Sequence, residues 1–219
     1  MSAPRAVSFD VHGTLILPTP SIGALYAAAA AEQGLSVPAD EVEAAFGPAF
    51  KAVRSTWDVP YGRNEADARR FWHQVINRTF TGQASPALCD ALFDSLGHGQ
   101  AWRVLPGAHQ ALALVRAAGL PVYACTNFDG RVHQILADLD LHLDVVFTSA
   151  HYGAAKPDPA ILLAACAAAA CEPSELLHVG DHPHEDAGAC SACGARFFAV
   201  ERGAGINPAR LQAALAQSN

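Results

Sequence analysis

The sequence predicts an α/β fold: a doubly wound, Rossmann-like parallel sheet with a helical segment inserted after its first strand. Three observations carry that prediction. Short apolar runs of strand length recur along the chain, helical patterns separate most of them, and one long stretch (18–100) holds helical patterns alone. At 219 residues the chain is long enough for one core with an insertion.

The first strand is RAVSFD at 5–10, a short apolar run that stops at Asp10 and is broken by Gly13. Helical patterns follow at 21–33, 39–55, 65–79 and 86–96, the last opened by Ser85 as N-cap and Pro86 in the first helical turn. Beyond residue 100 the alternation begins. Helical patterns at 106–118, 131–139, 159–170 and 185–193 lie among the strand-like runs LPVYACT (120–126), LDVVFTS (143–149), ELLHVGD (175–181) and ARFFAV (195–200). Gly119 and Gly194 supply C-terminal stops for two of those helices. The expected division is a core of 1–17 and 101–219 and a helical cap of 18–100.

Composition removes several function classes. With 51% hydrophobic and 16% charged residues the chain is too apolar for intrinsic disorder. Its net charge of -7 and the lack of a Lys/Arg cluster leave no basic field for nucleic acid. MSAPRAVSFD carries no signal-peptide pattern, and no run is long enough to span a membrane. The six cysteines are scattered, so a reduced, cytoplasmic protein is expected. Oligomeric state is not legible.

Ligands of an open parallel sheet bind outside the carboxyl ends of its strands. The polar residues of this chain gather at those ends. Asp10 closes the first predicted strand, Thr126 and Asn127 close the second, and Gly180-Asp181 close the fourth, with Lys156 and Asp186 in loops beyond. Carboxylates, a hydroxyl, an amide and a lysine in one crevice suit an anion together with a hard cation, and phosphate with magnesium is the natural pair.

DVHGTL (10–15), TN (126–127), KPDP (156–159) and HVGDHPHED (178–186) resemble, in order and spacing, the four motifs of the haloacid-dehalogenase-like hydrolases. The likeness spans the chain, and the helical insert resembles that superfamily's cap between its first and second motifs. The stretch PYGRNEADARRFWHQ and the non-Asp residue at position 12 resemble one subgroup within it. The resemblance implies that Asp10 is a nucleophile that forms an aspartyl-phosphate. It implies Mg2+ held by Asp10, the carbonyl of His12 and Asp181, with Asp186 nearby. Thr126 and the Asn127 backbone would grip phosphoryl oxygens, and Lys156 would neutralise charge around Asp10. The expected partner is a small phosphorylated substrate, and the aromatic and arginine cluster at 54–73 offers Tyr61, Arg63 and Trp57 as candidate contacts to its non-phosphate part.

His12 departs from that pattern. Phosphatases of the superfamily carry a second aspartate there for proton transfer. An imidazole could take over the acid/base role, or only its carbonyl could matter and dephosphorylation be slow. A metal-independent 2-haloacid dehalogenase and a phosphate-ligand binding protein with little turnover are the alternatives. Retention of both Asp181 and Asp186 favours phosphoryl chemistry. Cys190 and Cys193 beside His182 and His184 read as a helix of small residues rather than a zinc site, and His178 and His109 read as structural.

Overall fold

The computed structural model describes residues 3–59 and 61–216. Five apolar segments pair in parallel: β1 (Ala6–Phe9), β4 (Val122–Thr126), β5 (Val145–Thr148), β6 (Leu176–Gly180) and β7 (Arg196–Ala199). Their order across the sheet is β5-β4-β1-β6-β7, so β1 lies at the centre. Val7 sits opposite Val122 on one side and Leu177 on the other, and Phe9 opposite Ala124 and Val179. Both faces of β1, β4 and β6 are covered, which explains why these strands read as continuous apolar runs. The mixed α/β class and all five strands match the sequence expectation.

The crossovers are α5 (Ala108–Ala117), α6 (Val132–Asp138), the short α7 (Ser149–Tyr152), α8 (Ala160–Ala169) and α9 (Asp186–Cys193), and α10 (Pro208–Ala216) follows β7. Between β1 and β4 lie α1 (Ile22–Glu32), α2 (Ala39–Arg54), α3 (Glu65–Thr79) and α4 (Pro86–Ser95). Ser21, Asn64 and Ser85 cap three of these with side-chain oxygens that accept backbone N–H groups at 3.3, 2.9 and 3.0 Å. Helix α2 runs through Pro48 without stopping.

A two-stranded antiparallel ribbon, β2 (Ile16–Pro18) with β3 (Trp102–Val104), joins the ends of the helical segment. Pro18 lies opposite Trp102, so the chain enters and leaves the helices side by side. Helix α1 packs on α2 and α4, and α3 packs on α2 and α4. One apolar cluster then runs from Val7 and Phe9 of the sheet to Tyr26, Ile76, Phe80 and Leu92 of the helices. The ribbon, α7 and α10 have no counterpart in the sequence expectation. Three-residue strands carry too few positions for a period-2 pattern to register.

Candidate active site

Asp10 follows β1 directly, and its backbone N–H donates to the Val179 carbonyl at 2.8 Å, so the central strand and its neighbour fix its place. Lys156 reaches it from the loop before α8. The Lys156 side chain is 1% exposed, and its ammonium donates to Asp10 Oδ1 at 2.7 Å, to the Cys125 carbonyl at 2.8 Å and to Asp186 Oδ1. Three acceptors satisfy the three protons of an ammonium, the arrangement a buried lysine requires to remain charged.

Asp186 opens α9. Besides Lys156 it accepts from the backbone N–H of His182 at 2.9 Å and bonds His178 Nε2 at 3.1 Å. His178 bonds Ser8 through Nδ1 at 2.9 Å, so a residue expected to be merely structural holds a site carboxylate from behind. Asp181 follows β6. Its two oxygens accept from the Thr14 hydroxyl at 2.9 Å and from Arg202 Nη1 at 2.7 Å. Oxygen atoms of Asp10, Asp181 and Asp186 lie within 4.8 Å of one another.

Two glycines make that packing possible. At Gly13, with φ of +100°, a Cβ would lie 2.7 Å from both Asp181 oxygens. At Gly180 a Cβ would lie 2.4 Å from the Asp186 carboxyl carbon.

Burial and the neighbouring charges together set the protonation of the cluster. Burial pushes Asp10 up to about 7, with Lys156 pulling against it and the Asp186 charge adding to the rise. For Asp186 burial also opposes ionisation, but Lys156 and His178 outweigh it and hold the carboxyl well below the usual range. The same two carboxylates overcome burial at Lys156 and raise its pKa. Asp10 is therefore less readily ionised than an ordinary carboxylate, first because it is buried and second because the Asp186 charge shares its site.

Thr126 ends β4, and its hydroxyl is buried with no hydrogen-bond partner among the described residues. An orphan donor in a polar crevice calls for a ligand. Asn127 has a second task that the sequence reading did not assign. Its side chain donates to the Lys156 carbonyl at 3.0 Å and accepts from the Lys156 N–H at 2.8 Å, which pins the loop that carries the lysine. It also donates to Glu185 at 3.1 Å.

His12 is half-buried, with its ring edge-on to Trp102 at 5.9 Å. Arg202, from the loop after β7, places Nη2 3.2 Å from His12 Nδ1. A guanidinium only donates, so Nδ1 is the acceptor and the neutral ring carries its proton on Nε2. Burial and Arg202 together lower His12 to about 4, so the ring is neutral at physiological pH. Arg202 belongs to no motif and has no periodic signal, and only the fold brings its loop back to Asp181 and His12.

Asp10, His12, Thr126, Asn127, Tyr61 and Asp181 line one cavity of about 420 Å³. Arg63 does not. It lines a separate groove of about 700 Å³ that contains none of the three clustered carboxylates. The smaller cavity is the candidate site, because Asp10 and Thr126 both line it. Among the cysteines all six are free, and Cys190 and Cys193 lie in α9 among small residues as expected.

The fold and the comparisons define a class: a hydrolase with a Rossmann-like core, here with a buried carboxylate just beyond the end of the central strand. Residues 4–194 match the family of haloacid dehalogenase-like hydrolases, and the chain belongs to that family. It is 34% identical over 205 residues, 90% of this chain and 81% of its relative, to haloacid dehalogenase-like hydrolase domain-containing protein 3 of Mus musculus. A solved defluorinating L-2-haloacid dehalogenase superposes with a TM-score of 0.72 at 19% identity, covering 92% of this chain and 85% of that one. A hydrolase from Bacillus subtilis, solved with magnesium bound, superposes with a TM-score of 0.70 at 16% identity, covering 90% and 88%. Similarity at that level establishes the fold and leaves the choice of reaction to the site.

Proposed function

We propose that the protein is a magnesium-dependent hydrolase of small phosphomonoesters that works through an aspartyl-phosphate on Asp10. The observation that carries this reading is the group of three carboxylates with oxygens within 4.8 Å of one another. Carboxylate oxygens are the donors a hard divalent cation takes, and crowding of like charge around Asp10 is what such a cation relieves. Asp10, Asp181 and the His12 carbonyl would hold it, with Asp186 behind. When bound it supplies charge neutralisation between the nucleophile and the phosphoryl group.

The remaining chemistry belongs to the chain. Lys156 orients the Asp10 carboxylate through Oδ1 and offsets its charge. The Thr126 hydroxyl and the Asn127 backbone N–H donate to phosphoryl oxygens. Asp10 attacks phosphorus, the bond to the ester oxygen breaks, and the electron pair leaves on that oxygen. Water then attacks the phosphorus of the aspartyl-phosphate, releasing phosphate and restoring Asp10. Residues 18–100 act as a cap that encloses the site and excludes water during these steps.

His12 makes a poor proton donor here. A neutral imidazole has no acidic proton to deliver to an alkoxide, so leaving-group protonation falls to solvent and the reaction is slow on alkyl esters. A metal-independent dehalogenase would need no proton donor, but it would have no use for the carboxylate cluster. Free cysteines suit a reducing, cytoplasmic setting.

The test is phosphate release from a panel of phosphomonoesters with and without magnesium, for the wild type and Asp10→Asn. Release that requires both the metal and Asp10 supports the reading. Release that survives Asp10→Asn, or halide release from 2-haloacids without metal, refutes it.

A further inference from the structure

The cavity over Asp10 has two walls of opposite chemistry. One carries the acids, Thr126 and Arg202. The other is built from seven rings, Tyr26 of α1, Phe46 and Phe50 of α2, Tyr61, Trp72 of α3, Trp102 of β3, and Phe128, with the Arg131 guanidinium over the Trp72 ring at 5.3 Å.

These rings form a continuous belt. Phe46 meets Phe50 at 6.2 Å, Phe50 meets Tyr61 at 6.0 Å and Trp72 at 5.9 Å, and Tyr61 lies nearly parallel to Phe128 at 6.5 Å. Phe128 then meets Trp102 at 5.9 Å, and Trp102 meets the His12 ring, two positions from Asp10. Phe46, Phe50, Tyr61 and Trp72 each keep part of their surface uncovered. A second observation lies on the same wall. Tyr26 lines the cavity, and its hydroxyl is buried with no hydrogen-bond partner among the described residues.

We propose that the substrate is an aryl phosphomonoester, the phosphate ester of a hydroxyl carried on an aromatic ring. The ring packs against the aromatic belt while the phosphoryl group meets Asp10 and Thr126. Ring faces and edges favour a flat aromatic guest over a puckered aliphatic one of equal size. The chemistry agrees with the packing. When Asp10 forms its bond to phosphorus, the bond to the aryl oxygen breaks and the electron pair leaves as a phenolate, which takes its proton from water afterwards. A phenolate leaves without the carboxylic acid that position 12 lacks. This inference rests on the phosphoryl-transfer reading above and adds its substrate class.

The test uses the full chain with magnesium and three non-hydrolysable probes: methylphosphonate, benzylphosphonate and cyclohexylmethylphosphonate. Trp72 and Trp102 line the cavity and report binding by fluorescence. Benzylphosphonate is expected to bind at least tenfold more tightly than methylphosphonate and about threefold more tightly than the cyclohexyl probe. Phe50→Leu keeps an apolar side chain but removes a ring. It should cut the benzyl preference several-fold and leave methylphosphonate binding unchanged. If methylphosphonate binds but the benzyl and cyclohexyl probes are equal, or if Phe50→Leu leaves their ratio intact, the aryl assignment is overturned and the phosphoryl reading stands. If no phosphonate binds, both fall.

Discussion

Replacing His12 with aspartate should raise turnover, and the structure sets how far. A positioned general acid/base is worth roughly 10² to 10⁴ in rate, or about 3 to 5 kcal/mol of barrier at 1.36 kcal/mol per tenfold. The new carboxylate would sit beside Arg202, whose guanidinium lies 3.2 Å from His12 Nδ1. That cation would hold the new carboxyl ionised and weaken it as an acid, so the expected gain is at the lower end, about 10². The assay is kcat/KM with magnesium, which ends at the first irreversible step and so excludes the shared hydrolysis of the aspartyl-phosphate, measured on glycerol phosphate and on 4-nitrophenyl phosphate. An alkoxide needs a proton to leave and a nitrophenolate does not, so the gain should appear on glycerol phosphate and nearly vanish on the aryl ester. An equal gain on both, or no gain on glycerol phosphate, would refute the argument that position 12 limits proton transfer.

Thr126→Val should leave thermal stability unchanged or slightly higher, because the hydroxyl it removes is buried without a partner, yet lower kcat/KM by at least tenfold. A thermal melt and steady-state kinetics read the two effects separately. Lys156→Met leaves Asp10 and Asp186 facing each other uncompensated. It should cost about 3–5 kcal/mol, measured by urea denaturation at pH 8.5, and the loss should shrink as pH falls toward 7, because without Lys156 the Asp10 carboxyl takes up its proton at still higher pH. For metal binding the sign follows from the raised Asp10 pKa. Protons compete with the cation as pH falls through about 7, so magnesium affinity by calorimetry should weaken by up to about tenfold per pH unit below that point. Affinity flat from pH 7 to 5.5 would contradict this.

Much of the fold is legible because the five sheet strands are short apolar runs and the three central ones end at a chemically distinct residue. Asp10, Thr126 and Asp181 mark those ends, and a parallel sheet buried on both faces leaves little else for the pattern to mean. The carboxylates, Lys156 and Thr126 are legible as a set for the same reason. Arg202 is not, since a lone arginine in a glycine-rich loop looks like any solvated cation until the Gly203 N–H bonds the Gly13 carbonyl at 2.9 Å and folds the loop over the site. His178 hides for the opposite reason: in a buried strand it resembles packing, and its bond to Asp186 depends on the register of β6 beside β1. Tyr61 and Arg63 are neighbours in sequence yet face different spaces. The left-handed turn at Tyr61 and Gly62, with φ of +65° and +74°, separates them, and no sequence pattern encodes that direction.

The central claim is that Asp10 carries a phosphoryl group during turnover. The direct measurement is acid quenching of the protein mixed with a phosphomonoester and magnesium, followed by digestion and mass spectrometry of the peptide that contains Asp10. The account predicts a phosphoryl adduct on that peptide, labile to hydroxylamine, and absent without magnesium or in Asp10→Asn. An unmodified peptide throughout turnover, or an ester adduct formed only from a 2-haloacid, would contradict it.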